Sequence, residues 1–122
     1  MNLTSIGYGQ SVSISGNVIL PSDHKLNKGA PSAVDVYEKQ KGGWEKVKTI
    51  DLKSIFHLGN KIPFQQKVIL QSNKSQLAVD ATLYHCDQAG KNCVIESFQG
   101  VAERNPRLTS TEIKVQMAGH QP

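Results

Sequence analysis

Hydrophobic and polar residues alternate with a period of two along most of the chain. Between positions 11 and 20, every second residue is apolar or small, namely Val12, Ile14, Gly16, Val18 and Leu20. The alternation returns between 76 and 86, where the apolar positions are Leu77, Val79, Ala81 and Leu83. A strand with one buried face has this period, whereas an amphipathic helix repeats every ~3.6 residues. The sequence therefore predicts an all-β protein.

Turn-forming residues divide this pattern into about seven strands. Breaks fall at 21–23, at 42–43 and at 71–75, and Pro106 ends a further strand. The predicted strands cover 11–19, 32–39, 44–52, 62–70, 76–86, 94–103 and 111–117. Their number and spacing predict an immunoglobulin-like antiparallel β-sandwich, with a small Greek-key barrel as the alternative. The predicted core includes Val12, Ile14, Val18, Leu26, Phe64, Val68, Leu77, Val79, Leu83 and Val115.

Length and composition set further bounds. The chain has 122 residues, which fits a single domain over 1–122 with its core at 11–118. With 38% apolar and 20% charged residues, it is neither disordered by composition nor rich enough in apolar runs to span a membrane. The net charge is +4, but the lysines are spread over strands and turns. Nucleic-acid surfaces cluster their basic residues, so we do not expect a nucleic-acid partner.

The two cysteines are the most informative chemical feature. Cys86 and Cys93 lie at opposite ends of a turn-rich stretch between two predicted strands. If they oppose each other in a hairpin, positions 84 and 95 oppose next, followed by 82 and 97. The pair is then a structural disulfide, a redox couple or two incidental thiols. We favour the structural disulfide over the redox couple, and the short loop it closes would contribute about 2 kcal/mol.

No other group of residues predicts a site. His24, His57 and His85 have no zinc-type spacing relative to the cysteines, so we expect no metal. We expect no cofactor and no catalytic residues, and we interpret Asp80 and Glu96 as solvated carboxylates on neighbouring strands. Trp44 is interpreted as a core or sheet-covering residue. The tail 119–122 is predicted to be frayed.

Several short motifs resemble a known family. They are the stretch 25–32 (KLNKGAPS), the stretch 62–64 (IPF), and the stretch 83–86 (LYHC) followed by Cys93. Together they resemble the C-terminal β-sandwich domain of proteins that join a thioredoxin-like domain to an NHL-repeat propeller, over about residues 12 to 103. A more distant similarity is to the N-terminal periplasmic domain of the transmembrane thiol:disulfide interchange protein, which is immunoglobulin-like and carries a redox-active cysteine pair.

This resemblance implies a domain of a larger protein and two functional hypotheses. In the first, the domain is a non-catalytic accessory module that packs on a thioredoxin-like or propeller domain of the same parent protein. In the second, Cys86 and Cys93 exchange disulfides with a thioredoxin-like partner. The first residues, 1–5, lack the features of a signal peptide, which taken literally indicates the cytoplasm. An oxidised cysteine pair instead favours an extracytoplasmic setting, which we expect for a domain of a larger protein.

Overall fold

The protein is an all-β sandwich of eight strands. The computed structural model describes residues 1–121. The strands are β1 (Ser11–Ile19), β2 (His24–Leu26), β3 (Ala33–Gln40), β4 (Gly43–Asp51), β5 (Lys61–Ile69), β6 (Leu77–Asp87), β7 (Cys93–Ala102) and β8 (Glu112–Ala118). A single 3₁₀ turn at Leu52–Ser54 is the only helical segment within residues 1–121. The predicted all-β fold is confirmed.

Two sheets pack face to face. The smaller sheet has the order β5-β1-β8, and the larger has the order β4-β3-β6-β7. The short strand β2 pairs with the end of β6, beyond the part of β6 that pairs with β3. All pairs between these strands are antiparallel except β1 with β8, which is parallel.

The sequence pattern missed β2. Its three residues lie in a stretch interpreted as a non-periodic crossover, because three residues are too few to show a period. The sequence predicts about seven strands, and the structure has these seven and β2. The alternation is nevertheless present, since His24 and Leu26 are buried and Lys25 between them is exposed.

The core lies between the sheets and contains the predicted residues. All ten residues of the predicted core are buried. Leu26 is only 8% exposed and belongs to the same apolar cluster as the strands of both sheets. The apolar positions of alternating strands point inward because a strand turns successive side chains to opposite faces.

Several connections meet at one end of the sandwich. Between the β1–β2 and β4–β5 connections, the Leu20 backbone N–H donates to the Asn60 carbonyl, and the Asn60 side-chain amide donates to the Leu20 carbonyl. The Leu52 backbone N–H donates to the Ser32 carbonyl. Gly119, just after β8, donates to Ile19 at the end of β1. The β6–β7 turn lies at this end too, because β2 pairs with the last residues of β6. We call this region the cysteine end.

Candidate functional site

The cysteine hairpin is formed by β6, β7 and a tight turn. Asp87 closes the turn, since its carboxylate accepts from the Lys91 backbone N–H at 2.9 Å and from the Asn92 side-chain amide at 2.7 Å. These bonds, the Lys91 backbone bond foremost, hold the pKa of Asp87 below its usual value. Gly90 has φ +73°, a left-handed conformation that favours glycine.

The strand register is the one predicted from the sequence. Cys86 opposes Cys93, Tyr84 opposes Ile95, and positions 82 and 97 come next. Cys86 and Cys93 form a disulfide, with their Cα atoms 4.0 Å apart. The covalent link therefore joins the two strands at the neck of the hairpin.

The two sulfurs have different surroundings. Cys86 is only 4% exposed, whereas Cys93 is an exposed residue. β6 lies in the interior of the sheet between β2 and β7, while β7 is an edge strand. An attacking group from solvent would therefore reach Cys93 before Cys86.

Asn27 places a hydrogen-bond donor beside the buried sulfur. Its Nδ2 atom lies 3.5 Å from the Cys86 Sγ atom, and its Oδ1 atom accepts from the Gly29 backbone N–H at 2.8 Å. The second bond fixes which end of the amide faces the sulfur. Lys25 pairs directly with Cys86 on β2, and its side chain and that of Lys28 border the same surface depression. The Cys86 sulfur therefore contacts a polar amide and borders a depression that two lysines also line.

A second polar cluster lies on the inner face beneath the hairpin. His24 on β2 and His85 on β6 are both buried, and their Nδ1 atoms are 2.7 Å apart. His85 Nε2 lies 2.8 Å from the Glu96 carboxylate, which also receives the backbone N–H and the Nδ1 of His120. The cluster thus links β2, the β6–β7 hairpin and the segment after β8, which are distant from one another in sequence.

The hydrogen bonds of this cluster restrict which nitrogens carry protons. Burial raises the pKa of Glu96, but hydrogen bonds from His85 and His120 outweigh it, so its pKa lies below the usual value. An ionised Glu96 accepts a hydrogen bond from the Nε2–H group of His85. In a neutral His85 ring the Nδ1 atom is then an acceptor, so His24 Nδ1 must donate. With a neutral His85, each hydrogen bond in the sequence His24–His85–Glu96 is thus donated toward Glu96.

The structure corrects two interpretations of these residues. Glu96 is not a solvated strand carboxylate, because its side chain is only 13% exposed and it bonds two histidines. Asp80 and Glu96 do lie on neighbouring strands, and their carboxylates point to opposite faces of the large sheet. The tail is not frayed through Gln121, whose side chain reaches Asp23 at 3.3 Å, while Pro122 lies outside the described residues. No pattern in the sequence predicts the contacts of His120 and Gln121, because their partners lie 24 and 98 positions away.

The remaining candidates are dispersed. Cys86 lies on the outer face of the large sheet and His85 on the inner face, as predicted from strand alternation. His57 lies in the β4–β5 connection and contacts the Ile55 carbonyl at 3.2 Å. Within residues 1–121, no three histidine, cysteine or carboxylate side chains converge in a geometry that would hold a metal ion. The same residues include no helix of the length and hydropathy needed to cross a membrane.

Comparison with known proteins gives one informative similarity. No protein-family profile matches the chain. The chain is 25% identical over 122 aligned positions to NHL repeat-containing protein 2 from Gallus gallus. The alignment covers 86% of the chain but only 16% of that relative. The chain is therefore similar to one part of an NHL repeat-containing protein.

Proposed function

We propose that the chain is a non-catalytic accessory domain of a larger NHL-repeat protein, with the Cys86–Cys93 disulfide as a structural element of its hairpin. The observation that carries this proposal is the alignment, which includes most of this chain and about a sixth of the relative. A unit of that size within a longer protein acts through its contacts with the other domains. The partner in this proposal is a propeller or thioredoxin-like domain of the same parent protein.

The outer face of the large sheet offers a surface for such a contact. Tyr37, Trp44 and Val101 line a shallow depression there with Ala78. Trp44 is 42% exposed, and the Lys39 ammonium lies 5.1 Å from its ring centroid. Trp44 therefore covers the sheet from outside and is not part of the core. Exposed aromatic residues are enriched where proteins bind each other.

A binding experiment tests this function. Calorimetry follows separate titrations of the oxidised chain with the purified propeller and with the purified thioredoxin-like domain of the same parent protein. We expect association, and we expect the double variant Trp44→Ser/Val101→Ser to weaken it about tenfold or more, since buried aromatic anchors dominate such interfaces. Ile69→Ser, on the outer face of the other sheet, is the matched control. Equal binding by both variants would reject this face, and no binding to either parent domain would reject the accessory role.

We also propose that the domain resides in an oxidising compartment. Disulfides persist outside the cytoplasm and are kept reduced within it. Mass measurement of alkylated protein from intact cells should find both thiols protected by the bridge. Free thiols in most molecules would place the domain in a reducing compartment.

A second candidate function is thiol-disulfide exchange, favoured by the exposure of Cys93 beside a buried Cys86. In this mechanism a thiolate of a partner dithiol attacks the Cys93 sulfur and the intramolecular bond breaks. A mixed disulfide forms at Cys93, and Cys86 leaves as a thiolate that the Asn27 amide and Lys25 stabilise. The second partner thiol then displaces Cys93. The domain gains two electrons and two protons, and the partner becomes a disulfide.

Redox titration distinguishes the two functions. A structural disulfide should have a potential below about −300 mV, and a potential above about −250 mV would support exchange. Exchange further requires that the free Cys93 thiolate of Cys86→Ser attack the disulfide of an oxidised thioredoxin-type partner, so that a mixed disulfide forms at Cys93 and one partner sulfur leaves as a thiolate. The reciprocal variant Cys93→Ser should form much less, because the Cys86 sulfur is buried. A low potential with no trapped complex would reject exchange and leave the accessory function standing.

A further inference from the structure

The connection between β4 and β5 presents two large apolar side chains to solvent. Phe56 is 85% exposed and Leu58 is 82% exposed, the two highest values among the large hydrophobic residues of the described chain. They lie two positions apart at the tip of the segment 52–60, which we call the apolar loop. Loop tips are usually polar, so two such residues side by side need an explanation.

The base of the apolar loop is well anchored. Leu52 is buried, and its backbone N–H bonds the Ser32 carbonyl at 3.0 Å. Asn60 donates its side-chain amide to the Leu20 carbonyl at 2.7 Å. Ile55 packs partly against the core, so the apolar residue at the base turns inward while those at the tip do not. The tip is therefore held away from the core by a fixed base.

Lysines flank the apolar tip. Lys53 and Lys61 are exposed on either side of it in sequence, and Lys53 Nζ lies 3.2 Å from the Lys28 carbonyl of the neighbouring connection. Between Leu52 and Ile62 the chain carries these two lysines and no carboxylate. The preceding Asp51 carboxylate is engaged by the Lys53 backbone N–H and the Ser54 hydroxyl, so it caps the 3₁₀ turn.

The size of the tip favours a lipid surface over a protein partner. A specific protein interface buries about 800 Å² on each side, which two isolated side chains on a convex tip do not supply. A lipid surface accepts a few apolar side chains into its headgroup region, and lysines strengthen binding when the lipids are anionic. The apolar tip meets the first requirement, and the flanking lysines meet the second.

We propose that the apolar loop is a peripheral binding site for anionic lipid headgroups, with Phe56 and Leu58 entering the interface and Lys28, Lys53 and Lys61 contacting the lipid charges. This property is independent of the accessory role, which uses the outer face of the large sheet. The contact is weak and reversible, because only two apolar side chains enter the lipid and no transmembrane segment takes part.

Vesicle sedimentation tests the proposal with the oxidised full chain. Vesicles of phosphatidylcholine with phosphatidylserine should bind the chain, and vesicles of phosphatidylcholine alone should bind it much less. Phe56→Ser/Leu58→Ser should reduce binding about tenfold or more. Lys53→Gln/Lys61→Gln should reduce binding roughly fivefold per lysine and weaken its salt dependence, with Lys28 retained. The control variants Ile69→Ser and Lys41→Gln change exposed residues away from this loop, and they should bind like the unsubstituted chain.

Other outcomes overturn the proposal. No binding to anionic vesicles, or equal loss in the loop and control variants, rejects a lipid site at this loop. Concentration-dependent self-association that Phe56→Ser/Leu58→Ser abolishes, without vesicle binding, assigns the tip to a contact between copies of the chain. Circular dichroism melting of every variant shows whether the fold is retained, since these exposed residues make no core contact.

Discussion

Glu38 is a carboxylate on β3 that the fold places almost entirely out of solvent, with 1% of the residue exposed. It accepts hydrogen bonds from the backbone N–H groups of Gln71 and Ser72 at 3.1 and 3.0 Å and from the Ser75 hydroxyl at 2.7 Å. Three donors satisfy a group that would be costly to bury alone. One side chain thereby fixes the β5–β6 connection, whose polar composition predicts only a turn.

Replacing Glu38 by Gln should destabilise the protein by about 1.5–3 kcal/mol. The variant keeps the side-chain volume but turns charge-assisted hydrogen bonds into neutral ones and offers an N–H group to backbone donors. Urea unfolding measures the change. Glu45→Gln, on the exposed edge strand β4, is the control, and an equal effect in both variants would contradict the role given to Glu38.

Leu26 contributes through packing, because it closes the cysteine end of the core. Leu26→Ala should lower the free energy of unfolding by about 2–5 kcal/mol, the usual cost of truncating a buried leucine. Leu58→Ala, at a leucine 82% exposed, should be nearly neutral. A neutral Leu26→Ala in the same urea titration would mean that the 25–32 stretch does not support the core.

At the scale of elements, the parallel pairing of β1 and β8 depends on a glycine. Gly16 opposes Val115 on β8 and Phe64 on β5. A Cβ atom at position 16 would lie 1.8 Å from the Val115 carbonyl oxygen. β8 therefore approaches β1 more closely than a residue with a side chain would permit.

Gly16→Ala should destabilise the sandwich by at least about 1–3 kcal/mol, since the added methyl group must displace backbone. In this variant, amide hydrogen exchange should be faster along β8 and little changed along β3 and β6. Gly42→Ala in the β3–β4 turn, where nothing lies within 4 Å of the added atom, is the matched control. Unchanged exchange in β8 would contradict the close contact.

At the scale of the whole molecule, folding is coupled to the ionisation of buried carboxylates. Burial raises the pKa of Glu38 and of Glu96, but their hydrogen bonds lower it further, so both folded-state values lie below the ordinary value of 4.5. A carboxylate with a lowered folded pKa stabilises the protein above its unfolded pKa. That stabilisation is lost as the pH falls through the folded value.

Above pH 4.5 these two carboxylates should therefore make a constant contribution to the free energy of unfolding. As the pH is lowered below 4.5, that contribution should decrease. Urea titrations at a series of acidic pH values measure the slope. The double variant Glu38→Gln/Glu96→Gln should have a shallower slope, and Glu45→Gln/Glu112→Gln should keep the parent slope. A double variant with the parent slope would show that other groups control acid stability.

Local pattern was enough to predict most strands, the core and the cysteine hairpin. Strand alternation depends on neighbouring residues, so Val12, Leu77 and Val79 were assigned to the core without knowledge of their partners. The register of Cys86 with Cys93 followed in the same way, because a short turn leaves few ways to pair its two flanking strands.

Only the tertiary structure decided the contacts between distant segments. The strand β2 forms because His24 and Leu26 pair with residues of β6 some 60 positions later in the chain. Three residues are too few to show a strand period in the sequence. The bonds of Glu96 to His85 and His120, and those of Glu38 to the β5–β6 connection, likewise join segments that are separate in sequence. The sequence determined which faces would be buried. Chain folding determined which polar groups would meet there, because burial forces each of them to find a partner from whatever segment the fold brings near.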